Sequence, residues 1–475
     1  MTPKRRVSSE EETDSLTLGP VFAEVGDQPR GRFGKAVRTA ARGFAQPGGL
    51  IRNVMWLGGS TAVGQLLVVV STPVITRLYT PSDLGLIGLV MAYVGFVSVA
   101  TALRYEMAIV SALSEREADT LLAISLFLTL PVAALAGLLF FLMIRGNILS
   151  FATLPHWAAP AALLIILLTG VFTSLRYWYV RRSDFVTIGR ALVTQGVGRS
   201  TVPVALGLAH VGWAGLLLGE MVGRSLGISE LARRAWPALK SVVANVDSSY
   251  YAQTLKRNWK FPAMSLPSSL IDSLYGSLPL TIVATLFGSA AAGEFLLVQR
   301  IASLPASLVA ASVGDVIHSH ASDTHLNKKG SLQAILWNGT KKLGMVALLV
   351  YVPLTIVSPF VFGIVFGGSW TDAGFIMAIL SPSMFLGTIV SPLSRLLIVT
   401  NRLEMKLASD VVKLAVPLIG LVGMSQLGFR FWNCLLAFGI LDFGSNVFYW
   451  LQIWRCSKQA SQGTRLVEST SLDNG

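Results

Sequence analysis

The side chains best placed to do chemistry are charges stranded in apolar sequence. Arg199, Glu220, Arg224, Asp272, Arg300 and Asp442 each fall within a long hydrophobic run, and Arg104 closes another such run. An ionisable group inside a bilayer is costly unless it is paired or faces water, so each is a candidate for holding a charged ligand or an ion. Glu220 and Arg224 are four residues apart on one helical face and can neutralise each other as a structural ion pair. Arg199 either faces the bundle or snorkels to the surface. Asp272 and Arg300 lie near the middle of two consecutive spans. They either form a helix-to-helix salt bridge or offer a site for an anionic headgroup or a coupling cation.

Membrane spans must position these groups. With 53% hydrophobic and 13% charged residues over 475 positions, the chain has too few charges to coat a water-soluble globule of its size. Stretches of roughly 18 or more apolar residues suggest a crossing. The runs give about twelve, near 51–73, 84–103, 119–144, 158–180, 186–208, 211–231, 262–287, 291–316, 336–362, 372–397, 405–425 and 428–454. The expected fold is all-α and polytopic. Pro262, Pro267 and Pro279 share one span, which is expected to be bent and to line a path.

Leu57 to Arg104 reads as a hairpin: an uncharged helix, the turn Arg77-Leu-Tyr-Thr-Pro-Ser-Asp-Leu-Gly85, and a second apolar helix ending in Arg104-Tyr-Glu106. Pro81 suits the first helical position because its missing N–H falls where donors are unpaired anyway, and Asp83 can accept from those that remain. Shifted by 208 positions without a gap, the hairpin falls on a second one. Leu66 meets Leu274, Leu78 meets Leu286, Tyr79 meets Phe287, Gly85 meets Gly293, Leu89 meets Leu297 and Val90 meets Val298. Two like-facing six-helix lobes follow, related by a parallel repeat, with a substrate site at their interface where one lobe can rock against the other. The same shift sets uncharged Gly64 and Ala92 on Asp272 and Arg300, so only the second hairpin carries charge at that depth.

The net charge of +13 is unevenly spread. With the N-terminus in the cytoplasm, 32 of the 38 Lys and Arg are assigned to the tails, the cytoplasmic loops and the stretches of span that adjoin them; Arg77, Arg145 and Arg430 are external, and Arg199, Arg224 and Arg300 are assigned to spans. That asymmetry follows the positive-inside rule and puts both termini in the cytoplasm. Clusters such as Arg181-Arg182, Lys256-Arg257 and Lys328-Lys329 read as topology anchors and contacts to membrane lipids, not to nucleic acid. The expected organisation is a disordered cytoplasmic tail at 1–48, an N-terminal lobe at 49–232, a basic amphipathic cytoplasmic linker at 233–260, a C-terminal lobe at 261–455 and a cytoplasmic tail at 456–475. Cys434 and Cys456 share the last helix, 22 residues apart, and at about 1.5 Å per residue are too distant to pair within the chain.

Enzymatic readings find little support. His318-Ser-His320 with His325 lacks a regular metal-ligand spacing, and no Gly-x-x-x-x-Gly-Lys-Ser/Thr phosphate loop occurs. External loops of about a dozen residues or fewer are too short to present the machinery of a glycan polymerase or ligase. No catalytic residue, metal or cofactor is expected. The pattern argues for moving a substrate, not for cutting or joining it.

Three segments carry a resemblance: Ile75-Thr-Arg-Leu-Tyr-Thr-Pro-Ser-Asp-Leu-Gly85, Leu103-Arg-Tyr-Glu-Met-Ala-Ile-Val110 and Ser391-Pro-Leu-Ser-Arg395. They resemble bacterial polysaccharide biosynthesis membrane proteins, the Wzx-like oligosaccharide flippases of the multidrug/oligosaccharidyl-lipid/polysaccharide exporter superfamily, over about 51–455. The resemblance implies a twelve-helix, two-lobed transporter of the bacterial inner membrane that alternates between inward- and outward-open states. Its substrate would be an undecaprenyl-pyrophosphate-linked oligosaccharide bound for surface or extracellular polysaccharide. Arg300, Arg199 and Arg224 would hold the pyrophosphate or acidic sugars, with Glu220, Asp272, Asp442 and Arg104 as further cavity candidates. Coupling to protons or sodium is left open, and a polymerase and a chain-length regulator are candidate partners. The rivals are a cation-coupled drug antiporter, a lipid II flippase with two extra helices, and an integral membrane glycan polymerase. The antiporter would need acidic residues at mid-depth in the first hairpin, where this chain has none.

Overall fold

A computed structural model of the chain describes residues 50–244, 248–326, 331–400 and 402–472. The chain divides into two units, 1–52 and 53–475, and the lobes and cavities below belong to the second. The tail expected at 1–48 lies outside the described residues.

The elements are α1 (Leu50–Leu78), α2 (Pro81–Ser98), α3 (Tyr105–Ser111), α4 (Glu115–Arg145), α5 (Ala158–Arg181), α6 (Phe185–Leu208), α7 (Ala214–Ala244), α8 (Ser248–Arg257), α9 (Leu266–Leu326), α10 (Leu332–Phe366), α11 (Thr371–Leu393), α12 (Arg395–Val399), α13 (Leu403–Gln426) and α14 (Phe431–Leu472). Two 3-10 turns, Leu149–Thr153 and Gly368–Trp370, precede α5 and α11, and a π turn at Phe261–Ser265 leads into α9. No strand occurs among the described residues.

Nine helical segments among the described residues are long and apolar enough to cross a membrane. Two features reconcile this with about twelve spans. Gly288 breaks α9 into two limbs, its φ of 88° lying outside helical space. Helices α6 and α7 have spanning length but carry Gln195 and Arg199, and Glu220 and Arg224, which lower their hydropathy. Phe127, Leu349, Phe360, Ile364, Ile419 and Ile440 are apolar and exposed, as a lipid-facing surface requires.

The first hairpin turns as its sequence indicates. Thr80 caps α2: its hydroxyl accepts from the Asp83 N–H at 3.2 Å, while Asp83 Oδ2 accepts from the Thr80 N–H at 2.9 Å, with Pro81 at the first helical position. Helix α2 then stops at Ser98, short of the expected end at Arg104 to Glu106. The Ser98 hydroxyl donates to the Val94 carbonyl and the Thr101 hydroxyl to the Ser98 carbonyl at 2.9 Å, so side chains compete for the groups that would continue the helix. Leu103 and Arg104 pass through left-handed backbone, with φ of 49° and 68°, before α3 restarts.

The second hairpin turns at Gly288, the residue that the 208-position shift sets on Thr80. The hairpins meet through α2 and the second limb of α9. A methyl group on Gly85 would strike the Ser289 carbonyl, and one on Gly293 would strike the Pro81 carbonyl. Pro81 and Ser289 are themselves equated by the shift, as are Gly88 and Leu296, which also meet. Reciprocal contacts between matched residues are what a two-fold axis produces. The pseudo-symmetry axis therefore passes between these two helices.

At the end of the bundle holding both turns, each lobe reaches across to the other. Ser150, in the 3-10 turn before α5, is 3.0 Å from the Thr285 hydroxyl, and its hydroxyl donates to the Thr281 carbonyl at 3.4 Å. In the counterpart, Trp370 Nε1 donates to the Thr76 carbonyl at 2.7 Å and Arg77 donates to the Ile364 carbonyl at 3.0 Å. One hydrophobic core runs through both lobes, and a second lies beneath α3, α4, α5 and α7 of the first.

Several boundaries extend past the sequence reading. Helix α7 runs on to Ala244, with Leu231 and Ala235 buried in the second core, and α8 follows with Lys256 and Arg257 in its last turn. Helix α14 continues to Leu472. Cys434 and Cys456 are both buried free thiols.

Candidate functional site

The first wall of a cleft is lined by α1 and α6; α6 and α7 form its backing. They pack closely because glycines face each other: a methyl on Gly223 would come 2.8 Å from the Gln195 carbonyl and collide with the Arg199 side chain. That close approach lets Arg199 reach Glu220. Its Nε and Nη2 donate to Glu220 Oε1 at 2.8 and 2.6 Å. Arg224 donates from Nη2 to Glu220 Oε2 at 3.3 Å and from Nη1 to the Thr169 hydroxyl of α5 at 2.8 Å. The expected Glu220–Arg224 pair exists, but Glu220 is shared between two guanidiniums. Glu220 is buried, whereas the Arg199 side chain keeps 29% of its surface exposed toward the cleft.

Arg300, on the second limb of α9, stands opposite. It lines a cavity of about 310 Å³ with Gly64 and Gln65 of α1 and Gln195 and Arg199 of α6. It also lines the adjoining cavity of about 590 Å³ with Tyr275, Gln299, Tyr351 and Lys413 of the second lobe. Arg300 lies within electrostatic reach of Arg199 and Glu220. Its guanidinium makes no hydrogen bond or ion pair among the described residues. Three guanidiniums and one carboxylate leave this wall with a local charge of about +2.

The second-lobe wall is mixed. Asp272, Lys406, Asp410, Lys413 and Tyr449 line one recess; Lys413, Asp442 and Asn446 line another, and Tyr275 belongs to both. Lys406 donates to Asp410 at 2.7 Å, Tyr449 donates to the same carboxylate at 2.8 Å, and the Lys413 ammonium lies 4.7 Å from the Tyr275 ring centre.

Of the two readings of Asp272 and Arg300, the helix-to-helix salt bridge does not form among the described residues. Asp272 is sixteen residues before the Gly288 turn and Arg300 twelve after it. They thus differ in depth by about 6 Å, at 1.5 Å of rise per residue. Asp272 turns to α13, and Arg300 to the first lobe. Asp442 is buried on α14 and faces Lys413. Arg104 lines none of these cavities: it stands at the N-terminal boundary of α3 in a left-handed backbone, without a side-chain cap bond, and pairs with Glu106 at 3.6 Å. Burial pushes the Glu106 carboxyl above the usual range despite that arginine. Lys413, Lys406 and Asp410 escaped the sequence reading, although Lys413 carries the same signal as the others, a charge within an apolar run. The side chains of His318, His320 and His325 lie outside those described, and among the described residues no group of three His, Cys, Asp or Glu could hold a metal.

The fold is similar to that of solved helical transporters. An inward-facing multidrug resistance MATE family transporter of the MOP superfamily superposes with a TM-score of 0.63 at 14% identity, over 84% of this chain and 95% of that one. The lipid II flippase MurJ, in an inward closed conformation, gives 0.61 at 12% identity over 86% and 90%. An outward-facing MATE transporter gives 0.54 at 14% identity over 87% and 96%. No curated protein matches the sequence. The family of polysaccharide biosynthesis proteins matches residues 74–375, and the chain belongs to it.

Proposed function

We propose that this protein is a flippase that carries an undecaprenyl-diphosphate-linked oligosaccharide from the cytoplasmic to the periplasmic leaflet of a bacterial inner membrane, with both its termini cytoplasmic. The observation that carries the reading is Arg300, a guanidinium without a protein partner among the described residues, facing a wall that already bears surplus positive charge. Such an arrangement is poised for an anion, and the planar fork of arginine matches two phosphate oxygens better than a lysine point charge does. A diphosphate and its sugars cannot cross hydrocarbon unaided, so they would occupy the polar cleft while the lipid tail stays in the bilayer. Membership of the polysaccharide biosynthesis family and the likeness to a lipid II flippase support the choice of substrate. The drug antiporter fits less well, because Glu220 on the first wall is neutralised by two arginines. Coupling to a proton or sodium gradient, and hand-over to a polymerase with a chain-length regulator, belong to the same proposal.

The test is Arg300→Ala in cells. Surface glycan should fall by at least about tenfold, equivalent to losing one charge-assisted contact, while membrane-inserted protein stays at the parental level. Lipid-linked repeat units should accumulate on the cytoplasmic face. Normal glycan at normal expression would remove Arg300 from the site and the reading with it.

A further inference from the structure

The two walls of the cleft differ in what they ask of a ligand. The first offers donors: Arg199 and Arg300 line the cavity, with Arg224 behind them on the carboxylate it shares with Arg199. The second offers acceptors. Asp272 is exposed to the recess and has no ion-pair partner among the described residues. Asp442 lies buried beside Lys413. Asn446, one turn further along α14, donates from Nδ2 to the Asp442 carbonyl at 2.9 Å, but its Oδ1 has no hydrogen-bond partner among the described residues although the residue is 1% exposed. A buried amide oxygen left unpaired is costly and calls for a donor from whatever enters the recess. Of the two lysines here, Lys406 is tied to Asp410 and Lys413 stands over Tyr275. Against Asp272, Asp410 and Asp442 they leave the wall at about −1.

We infer that this second wall is a sugar subsite, and that it takes a neutral or amino-bearing sugar and rejects a uronic acid. The inference rests on the flippase reading for the other end of the ligand. Sugar hydroxyls and ammonium groups are donors that Asp272, Asp442 and Asn446 Oδ1 can accept from, whereas a sugar carboxylate brings acceptors and like charge to a wall that has both. The adjoining cavity of about 590 Å³ lies within the roughly 300–1,000 Å³ typical of small-molecule sites and joins Arg300 to the recesses of about 290 and 150 Å³ that hold the acceptors, through Tyr275 and Lys413, which line all three. A bound glycolipid is thereby oriented: diphosphate to the arginines, sugars to the carboxylates.

Equilibrium binding to the full-length protein in lipid nanodiscs tests this with three probes. They are undecaprenyl diphosphate alone, the same lipid carrying a neutral N-acetylhexosamine disaccharide, and that disaccharide with its terminal sugar oxidised to a hexuronate. The neutral glycolipid should bind at least about tenfold more tightly than the hexuronate form, the effect of one unfavourable charge contact. Asp272→Asn and Asp442→Asn should each narrow that gap. Equal or tighter binding of the hexuronate form by the parent protein would overturn the assignment whatever the variants do. So would an Asp442→Asn variant that treats all three probes as the parent does and loses only a sodium dependence of binding, since the recess would then be an ion site. Failure of the flippase reading shows separately, as no binding of undecaprenyl diphosphate alone or no weakening of it by Arg300→Ala.

Discussion

Gly85 and Gly293, 208 positions apart in the chain, hold the two lobes together by the same contact made twice: each lies against the backbone carbonyl of the other hairpin's first helical residue, Ser289 and Pro81 respectively. Backbone against backbone leaves no side chain to yield, so this seam is narrow and stiff.

Replacing either glycine by leucine should force the helices apart. Overpacking of this kind costs about 1–3 kcal/mol, and thermal unfolding of the purified protein in detergent should show it as a lower midpoint. Because both residues serve one seam, the double variant should lose less than the sum of the singles. Strict additivity would mean that they do not share a contact.

Glu220→Gln should be more damaging to the protein itself than Arg300→Ala. Removing Glu220 strands Arg199 and Arg224 without their counter-charge, and breaking a buried pair costs about 3–5 kcal/mol, somewhat less here because Arg199 is partly exposed. Arg300 has no partner among the described residues to strand. Thermal midpoints measured side by side check the order, and a glutamine variant as stable as its parent would contradict the bridging role.

Trp370→Phe keeps the buried ring but deletes the donor to the Thr76 carbonyl. A loss of about 1 kcal/mol is expected, concentrated at the end of the bundle where the lobes clasp. Hydrogen exchange at residues 74–80 should quicken while α13 is unchanged. Uniform acceleration would point to general destabilisation instead.

Much of this was legible in the sequence because local chemistry dictated it. Thr80, Pro81 and Asp83 specify a helix start by hydrogen bonding alone, and the shift by 208 positions set Gly85 on Gly293 before any contact was known. Glu220 and Arg224 pair as their spacing requires. What was not legible depends on helix rotation and depth. Asp272 and Arg300 both sit mid-span, which left a salt bridge between them open as one reading, yet a four-residue difference in distance from Gly288 sends them to different neighbours. The early stop of α2 turns on hydroxyl-to-carbonyl bonds at Ser98 and Thr101, which apolar periodicity does not register. Arg104 carried the right charge, but the left-handed backbone at its own position directs it to Glu106.

The corner at Gly288 has no slack in it: a single residue joins the limb that bears Asp272 to the limb that bears Arg300. So short a joint keeps the two limbs together at that end, and a tilt of one limits where the other can go. On the flippase reading, a cargo held by Asp272 at one end and Arg300 at the other would feel a shift of this corner at both grips together.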